Sequence, residues 1–124
     1  MTYSTTEIQE GTWIDGNDLY HITLVLDPTT DIPSSDINAN NDYLHGISNI
    51  DVPVKFECFS YKADATDGNY IKQVIQEGTS RSYMQDNVYL INRFTRTLVR
   101  FRRASNAASE ADTIYLTLWY TKTS

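Results

Sequence analysis

Cysteine is nearly absent from this chain. Cys58 is the only one among 124 residues, so no intrachain disulfide can form and no zinc site can be built from cysteines. Its neighbours in the phrase Phe56-Glu57-Cys58-Phe59 predict an apolar strand, where a free cysteine behaves as a small buried hydrophobe. We therefore expect a structural thiol rather than a reactive one.

Basic residues and long apolar runs are also scarce. Lys and Arg number 10 against 16 Asp and Glu, which gives a formal net charge of −6. A general binder of phosphate backbones needs the opposite excess, so we expect no nucleic-acid partner. No stretch reaches the length of a transmembrane helix, and residues 1–10 lack the apolar core of a signal peptide. We expect a soluble protein that does not insert into membranes and is not exported by the Sec route.

Compact catalytic and metal-binding motifs are missing as well. The two histidines, His21 and His45, are not spaced as His-x-x-x-His, and no Gly-x-Ser-x-Gly phrase marks a nucleophile. His45 precedes Gly46, where its ring is expected to bond the backbone of a bend. The aspartates of residues 27–42 lack the order of an EF-hand calcium loop. We predict no enzyme, no cofactor and no metal, although a paired-carboxylate glycosidase stays open because carboxylate separation is a three-dimensional property.

The chain is rich in residues that favour strands and turns. Tyr, Thr, Val and Ile dominate the ordered stretches, and Gly, Asn, Asp, Ser and Pro cluster between them. The phrase Asp15-Gly16-Asn17 predicts a tight hairpin between strands over 7–14 and 19–26. We expect one domain over 1–124, an all-β, antiparallel, jelly-roll-like β-sandwich of seven to nine short strands. The remaining predicted elements are a long loop over 27–42 and strands over 43–50, 52–63, 70–75, 82–84, 88–94, 95–103 and 113–123.

Aromatic residues supply candidate core and ligand positions. The chain has two tryptophans and nine tyrosines. Trp13 and Trp119 are predicted to be largely buried at sheet interfaces. A tyrosine in a loop or on an outer face presents a flat apolar ring with a polar tip, which suits stacking on a sugar ring. The predicted ligand-binding residues are Tyr43, Tyr61 and Tyr83.

Arginines are concentrated in one stretch. Half of the ten basic residues lie between Arg93 and Arg103. A basic strand can blunt a sheet edge, or it can meet acidic glycans or the carboxylates of another subunit. Because Arg forms bidentate contacts with carboxylates, we expect Arg96, Arg100 and Arg102 to lie at an inter-subunit contact.

Three short phrases, taken in order, resemble one known module. They are Gly-Thr-Trp-Ile-Asp-Gly at 11–16 followed by Leu19-Tyr20, Leu-His-Gly-Ile-Ser-Asn-Ile-Asp at 44–51, and Trp-Tyr-Thr-Lys-Thr at 119–123. Their order and spacing are similar to those of the C-terminal β-module of tailed-bacteriophage tail-fibre, receptor-binding and related virion appendage proteins. The chain departs from that module at Asn17-Asp18, where Lys-Pro is common.

The resemblance implies a virion protein, assembled in the host cytoplasm and located near the host-contacting end of an appendage. It implies a homo-oligomer, and a homotrimer suits the threefold axis of a fibre. The implied partners are other virion proteins and bacterial surface polysaccharide, and no catalytic residue is carried over. Two alternatives stay open: a carbohydrate-active enzyme fragment such as a depolymerase, and a lectin-like domain from outside phages.

Overall fold

The chain is built almost entirely from β-strands. The computed structural model describes residues 2–34, 36, 38–66, 68, 70–77, 89–103 and 111–123. Within these ranges there are nine strands and one short helix, and no helix there is long and apolar enough to cross a membrane. The elements are β1 (Ile8–Thr12), β2 (Asp18–Leu26), α1 (Pro28–Asp31), β3 (Asn41–Leu44), β4 (Ile50–Tyr61), β5 (Ile71–Gln73), β6 (Ile75–Gln76), β7 (Tyr89–Phe94), β8 (Leu98–Arg103) and β9 (Thr113–Lys122).

The strands form two sheets around one core. The five-stranded sheet has the order β1-β2-β9-β4-β5, and the four-stranded sheet has the order β3-β8-β7-β6. All paired neighbours are antiparallel except β6 and β7, which run parallel. The chain changes sheet from β2 to β3, from β3 to β4, from β5 to β6 and from β8 to β9, as in jelly-roll sandwiches. The predicted all-β sandwich is confirmed.

The alternation along β9 determines which side of the five-stranded sheet is buried. Successive side chains of a strand point to opposite faces, and every second residue of β9 faces the four-stranded sheet. There they join Ile91 of β7 and Val99 and Phe101 of β8 in one core cluster. Full burial of such a side chain contributes about 1.5–3 kcal/mol. The fully buried apolar residues of β9 are Ile114, Leu116, Leu118 and Tyr120.

The other face of β9 is covered by polar neighbours. Trp119 is only 6% exposed, which confirms its predicted burial. The Nζ atom of Lys55 lies 4.5 Å from the centre of the indole ring, and the ring of His21 lies 5.9 Å away on the adjacent strand. Trp119 is therefore buried beneath side chains of its own sheet rather than between the two sheets.

Trp13 differs from the prediction. β1 ends at Thr12, two residues before the predicted end, and Trp13 is only partly buried and lies outside the core cluster. Its backbone closes the hairpin instead. The Trp13 N–H donates to the carbonyl of Asn17 at 2.8 Å, and the Trp13 carbonyl accepts from the N–H of Gly16 at 2.9 Å.

The strand predicted over 43–50 is divided. β3 ends at Leu44 and β4 begins at Ile50. Between them, Gly46 has a φ of 71° and Asn49 a φ of 63°, and this left-handed conformation is incompatible with a continuous strand. The bend separates β3 and β4 and lets them lie in different sheets.

Two further segments refine the prediction. The loop over 27–42 contains α1, and the side chain of Asp27 caps this helix by accepting from the Thr29 N–H at 3.1 Å. The strand predicted over 70–75 is two strands, β5 and β6, which lie in different sheets on either side of the buried Val74. The predicted strand over 82–84 lies outside the described residues.

The hairpin at Gly16 can be tested by substitution. Gly16 has a φ of +85°, and no described atom lies within 4 Å of where a β-carbon would be, so a side chain there meets backbone strain but no clash. We expect Gly16→Val to lower the free energy of unfolding by about 1–3 kcal/mol, measured by urea denaturation. Gly16→Asn is the matched control and should lose less, because Asn tolerates this conformation. Equal losses in both variants would contradict the strain argument.

Candidate functional site

The three phrases of the sequence meet at one end of the five-stranded sheet. β9 lies between β2 and β4, so that Thr121 pairs with Leu19 on one side and Lys122 pairs with Ile50 on the other. The N–H of Thr123 then donates to the carbonyl of Asn49 at 2.8 Å. Segments that are far apart in the chain therefore become direct neighbours.

An open groove of 570 Å³ lies where the phrases meet. Its size falls within the range of roughly 300–1,000 Å³ that is usual for small-molecule sites. The lining combines an aromatic ring with carboxylate, amide, ammonium and hydroxyl groups, and each of the three phrases or the residues next to them contributes to it. We call this the polar groove, defined by Asn17, Asp18, Tyr20, Asp51, Lys122 and Thr123.

The carboxylate of Glu7 holds Lys122, one of the lining residues of the polar groove. Glu7 accepts a hydrogen bond from the hydroxyl of Tyr120 at 2.6 Å and another from Nζ of Lys122 at 2.8 Å. The ring of Tyr20 stacks on that of Tyr120 with 6.2 Å between centres, and Lys122 Nζ lies 5.2 Å from the centre of the Tyr20 ring. The aromatic and ammonium groups of the groove are therefore held by one network.

The same network sets the charges of the groove. Burial alone would raise the pKa of Glu7, but the hydrogen bonds from Lys122 and Tyr120 hold that pKa below its ordinary value. Burial and the hydrogen bond to Glu7 raise the pKa of Tyr120. At neutral pH, Glu7 is therefore anionic and balances Lys122, while Tyr120 stays protonated. The remaining charged groups of the lining are the carboxylates of Asp18 and Asp51.

Arg100 and Arg102, two of the arginines predicted at an inter-subunit contact, have partners within their own chain. Nε and Nη2 of Arg100 donate to the two carboxylate oxygens of Asp42 at 2.7 and 3.2 Å, and this bond holds the pKa of Asp42 below its ordinary value. Nε of Arg102 donates to the side-chain oxygen of Asn40 at 2.8 Å. Both arginines link β8 to β3 or the loop before it, so each has a partner within its own chain, and the inter-subunit contact stays a prediction.

Arg96, the third of these arginines, contacts the edge of the polar groove. It lies in the turn between β7 and β8, and its Nε donates to the carbonyl of Asp51 at 2.7 Å. Its guanidinium Nη2 lies 3.9 Å from the Asp51 carboxylate. Arg96 therefore ties the four-stranded sheet to the start of β4.

The predicted tyrosines occupy different environments. Tyr43 pairs in register with the buried Val99 and packs against the core, so only part of its ring is accessible. Burial raises its pKa. Tyr61 is half-buried on β4 and pairs with Ile71 of β5. Tyr83 lies outside the described residues.

An apolar row crosses the outer face of the five-stranded sheet at the end opposite the polar groove. Val25, Tyr115 and Phe59 lie in register on β2, β9 and β4, and Tyr61 and Ile71 extend the row to β5. The exposed fractions are 55% for Val25, 41% for Tyr115 and 62% for Ile71. We call these five residues the outer row. Tyr61 is the one predicted ligand-binding residue that belongs to it.

The histidines are tied into local structure. Nδ1 of His45 accepts from the N–H of Ile47 at 3.1 Å, and its Nε2 bonds the carbonyl of Thr95 at 3.0 Å, which confirms the predicted contact with the backbone of a bend. Nε2 of the buried His21 lies 2.7 Å from a carboxylate oxygen of Glu10. Among the residues that the structure describes, no group of three or more potential metal ligands occurs.

Comparison with protein-family models, with curated proteins and with solved structures finds no match for this chain. The polar groove and the outer row are the two surface features that bear on the function of this protein. The sequence did not predict the groove as a site, because the residues that line it are distant in the sequence and share no local motif.

The Glu7 network should make stability depend on pH. A carboxyl group whose pKa is lowered on folding stabilises the fold above its unfolded pKa, near 4.5, and this contribution is lost as the pH falls through the folded pKa. We expect Glu7→Gln to lower the free energy of unfolding by about 1 kcal/mol at pH 6–7. The difference from the wild type should shrink as the pH falls below 4.5.

Urea denaturation at several pH values measures this difference. The matched control is Asp64→Asn, because the Asp64 side chain is 85% exposed and such exposed groups contribute little. A Glu7→Gln difference that stays constant through the acidic range would show that the carboxylate charge is not what stabilises the network.

Proposed function

We propose that this protein is a binding module of a tailed-bacteriophage virion, near the tip of a tail fibre or related appendage, where it contacts bacterial surface polysaccharide. The observation that supports this proposal is the polar groove. The phrases that resemble the phage module, which are distant in sequence, contribute the Tyr20, Asp51 and Lys122 side chains to a single concave surface. This convergence supports a binding role for residues that would otherwise be interpreted as scaffold.

The chemistry of the groove suits a sugar. A sugar ring has an apolar face and a rim of hydroxyls, and it is complementary to an aromatic ring flanked by hydrogen-bonding groups. The exposed part of the half-buried Tyr20 ring is the aromatic group of the groove, and the carboxylates of Asp18 and Asp51 accept hydrogen bonds from hydroxyls. Asn17 and Thr123 add groups that both donate and accept.

An array of purified bacterial envelope polysaccharides tests the proposal, followed by calorimetry on the strongest signal. We expect Asp18→Ala and Asp51→Ala each to weaken binding about tenfold, because each removes hydrogen-bond acceptors. Asp64→Ala is the control and should bind as the wild type does, because Asp64 is a carboxylate that does not line the groove. Binding to no polysaccharide would contradict the proposal, and release of reducing ends would favour a depolymerase.

The proposed assembly is a homotrimer with contacts to other virion proteins. The outer row supports a protein contact, since contiguous exposed apolar side chains are typical of interaction surfaces. Val25 and Ile71 are aliphatic and offer a sugar no hydrogen bond, whereas a protein surface removes them from water. The arginines of β8 are not needed for this contact because they are already paired within the chain.

Light scattering at two ionic strengths tests this assembly. We expect Tyr115→Lys to shift the protein toward monomer, because it places a charge in the middle of the outer row. Ile14→Lys is the matched control: Ile14 is 90% exposed but stands alone in the β1–β2 turn. Assembly through apolar contacts should persist at high salt, which screens exposed ion pairs. A wild-type protein that is monomeric at every concentration would refute the assembly.

A further inference from the structure

Two more surface depressions, both more open than the polar groove, lie next to it along β4. The first, of 460 Å³, shares Asp51 with the groove and reaches Arg96 and Thr97 in the β7–β8 turn. The next, of 390 Å³, shares Pro53 with the first and reaches Phe94. The polar groove and these two cavities therefore form one series, which we call the β4 track.

Among the residues that the structure describes, the first half of β4 has no strand partner on the side where the track lies. Within the described residues, β5 pairs with β4 only at Phe59–Tyr61, and the pairing of β4 with β9 shifts register around Pro53. Proline has no N–H to donate, and it is tolerated at edges and bulges. The first half of β4 forms one side of the track, and the β7–β8 turn forms the opposite side.

Arg96 stands where the polar groove passes into the first of these cavities. Its Nε is bonded to the Asp51 carbonyl at 2.7 Å, which fixes the position of the guanidinium. The side chain remains 68% exposed, and a guanidinium carries five N–H donors. Arg96 therefore presents oriented donors to anything that extends beyond the groove.

We propose that the β4 track binds a linear oligosaccharide, one end of which occupies the polar groove while the following sugars pass Arg96 toward Phe94. This inference rests on the proposed glycan binding and adds the length of the ligand. Each segment of the track repeats one combination, a flat apolar group next to polar groups. The flat groups are Tyr20, Pro53 and Phe94 in turn. A repeating surface of this kind is complementary to a repeating polymer.

Size-separated fragments of the polysaccharide that gives the strongest array signal test the track by calorimetry. We expect a hexasaccharide to bind at least about tenfold more tightly than a disaccharide, because two or three additional hydrogen bonds suffice for that factor. Arg96→Ala should remove most of this gain and weaken disaccharide binding by much less, through its contact with Asp51 of the groove. Arg93→Ala is the matched control, since Arg93 is an exposed arginine of β7 that does not line the track.

A second variant blocks the track with a larger side chain instead of removing a side chain that lines it. Thr97 is exposed and lines the first cavity beyond the groove, so Thr97→Trp should also abolish the gain from length while disaccharide binding persists. Equal affinities for the disaccharide and the hexasaccharide, or an Arg96→Ala variant that weakens both equally, would overturn the track but leave the groove as a glycan site. Failure of every fragment and of the parent polysaccharide would overturn the proposed function itself.

Discussion

The pairing of β9 with β2 on one side and with β4 on the other is the interaction on which the rest of this structure depends. It buries one face of β9 against the four-stranded sheet, with Leu116, Leu118 and Tyr120 fully inaccessible. It also brings the three sequence phrases together, because each phrase lies on or beside one of these three strands. The polar groove is therefore a product of strand order rather than of any single motif.

The two ends of the five-stranded sheet have opposite chemistry. At the end with the polar groove, hydrogen bonds through Glu7 hold Tyr120 and Lys122 in place. At the other end, the outer row leaves Val25 and Ile71 exposed. This polarity along the strands separates a concave polar surface from an exposed apolar one, so that the two proposed contacts use opposite ends of one small domain.

Sequence patterns predicted the local features well and the long-range ones poorly. The Gly16 hairpin and the strand predicted over 113–123 follow from neighbouring residues, and both were confirmed. Trp13 was predicted to be buried because of its residue type, but its position in the turn keeps it only partly covered. The partners of Arg100 and the cavities beside β4 depend on which strands become neighbours, and no local pattern contains that information.

The central position of β9 also affects how the protein folds. β9 pairs with β2, so contacts such as that between Tyr20 and Tyr120 join residues that are separated by most of the length of the sequence. Folding rates fall as the sequence separation of native contacts grows, because the entropy of closing a long loop is lost before the contact is gained. During synthesis, β2 and β4 are therefore made long before their common partner, and the backbone edges that β9 pairs with stay without that partner until β9 leaves the ribosome. In a crowded cell, this delay favours association between nascent copies of the chain. The order of synthesis therefore affects the yield of folded protein.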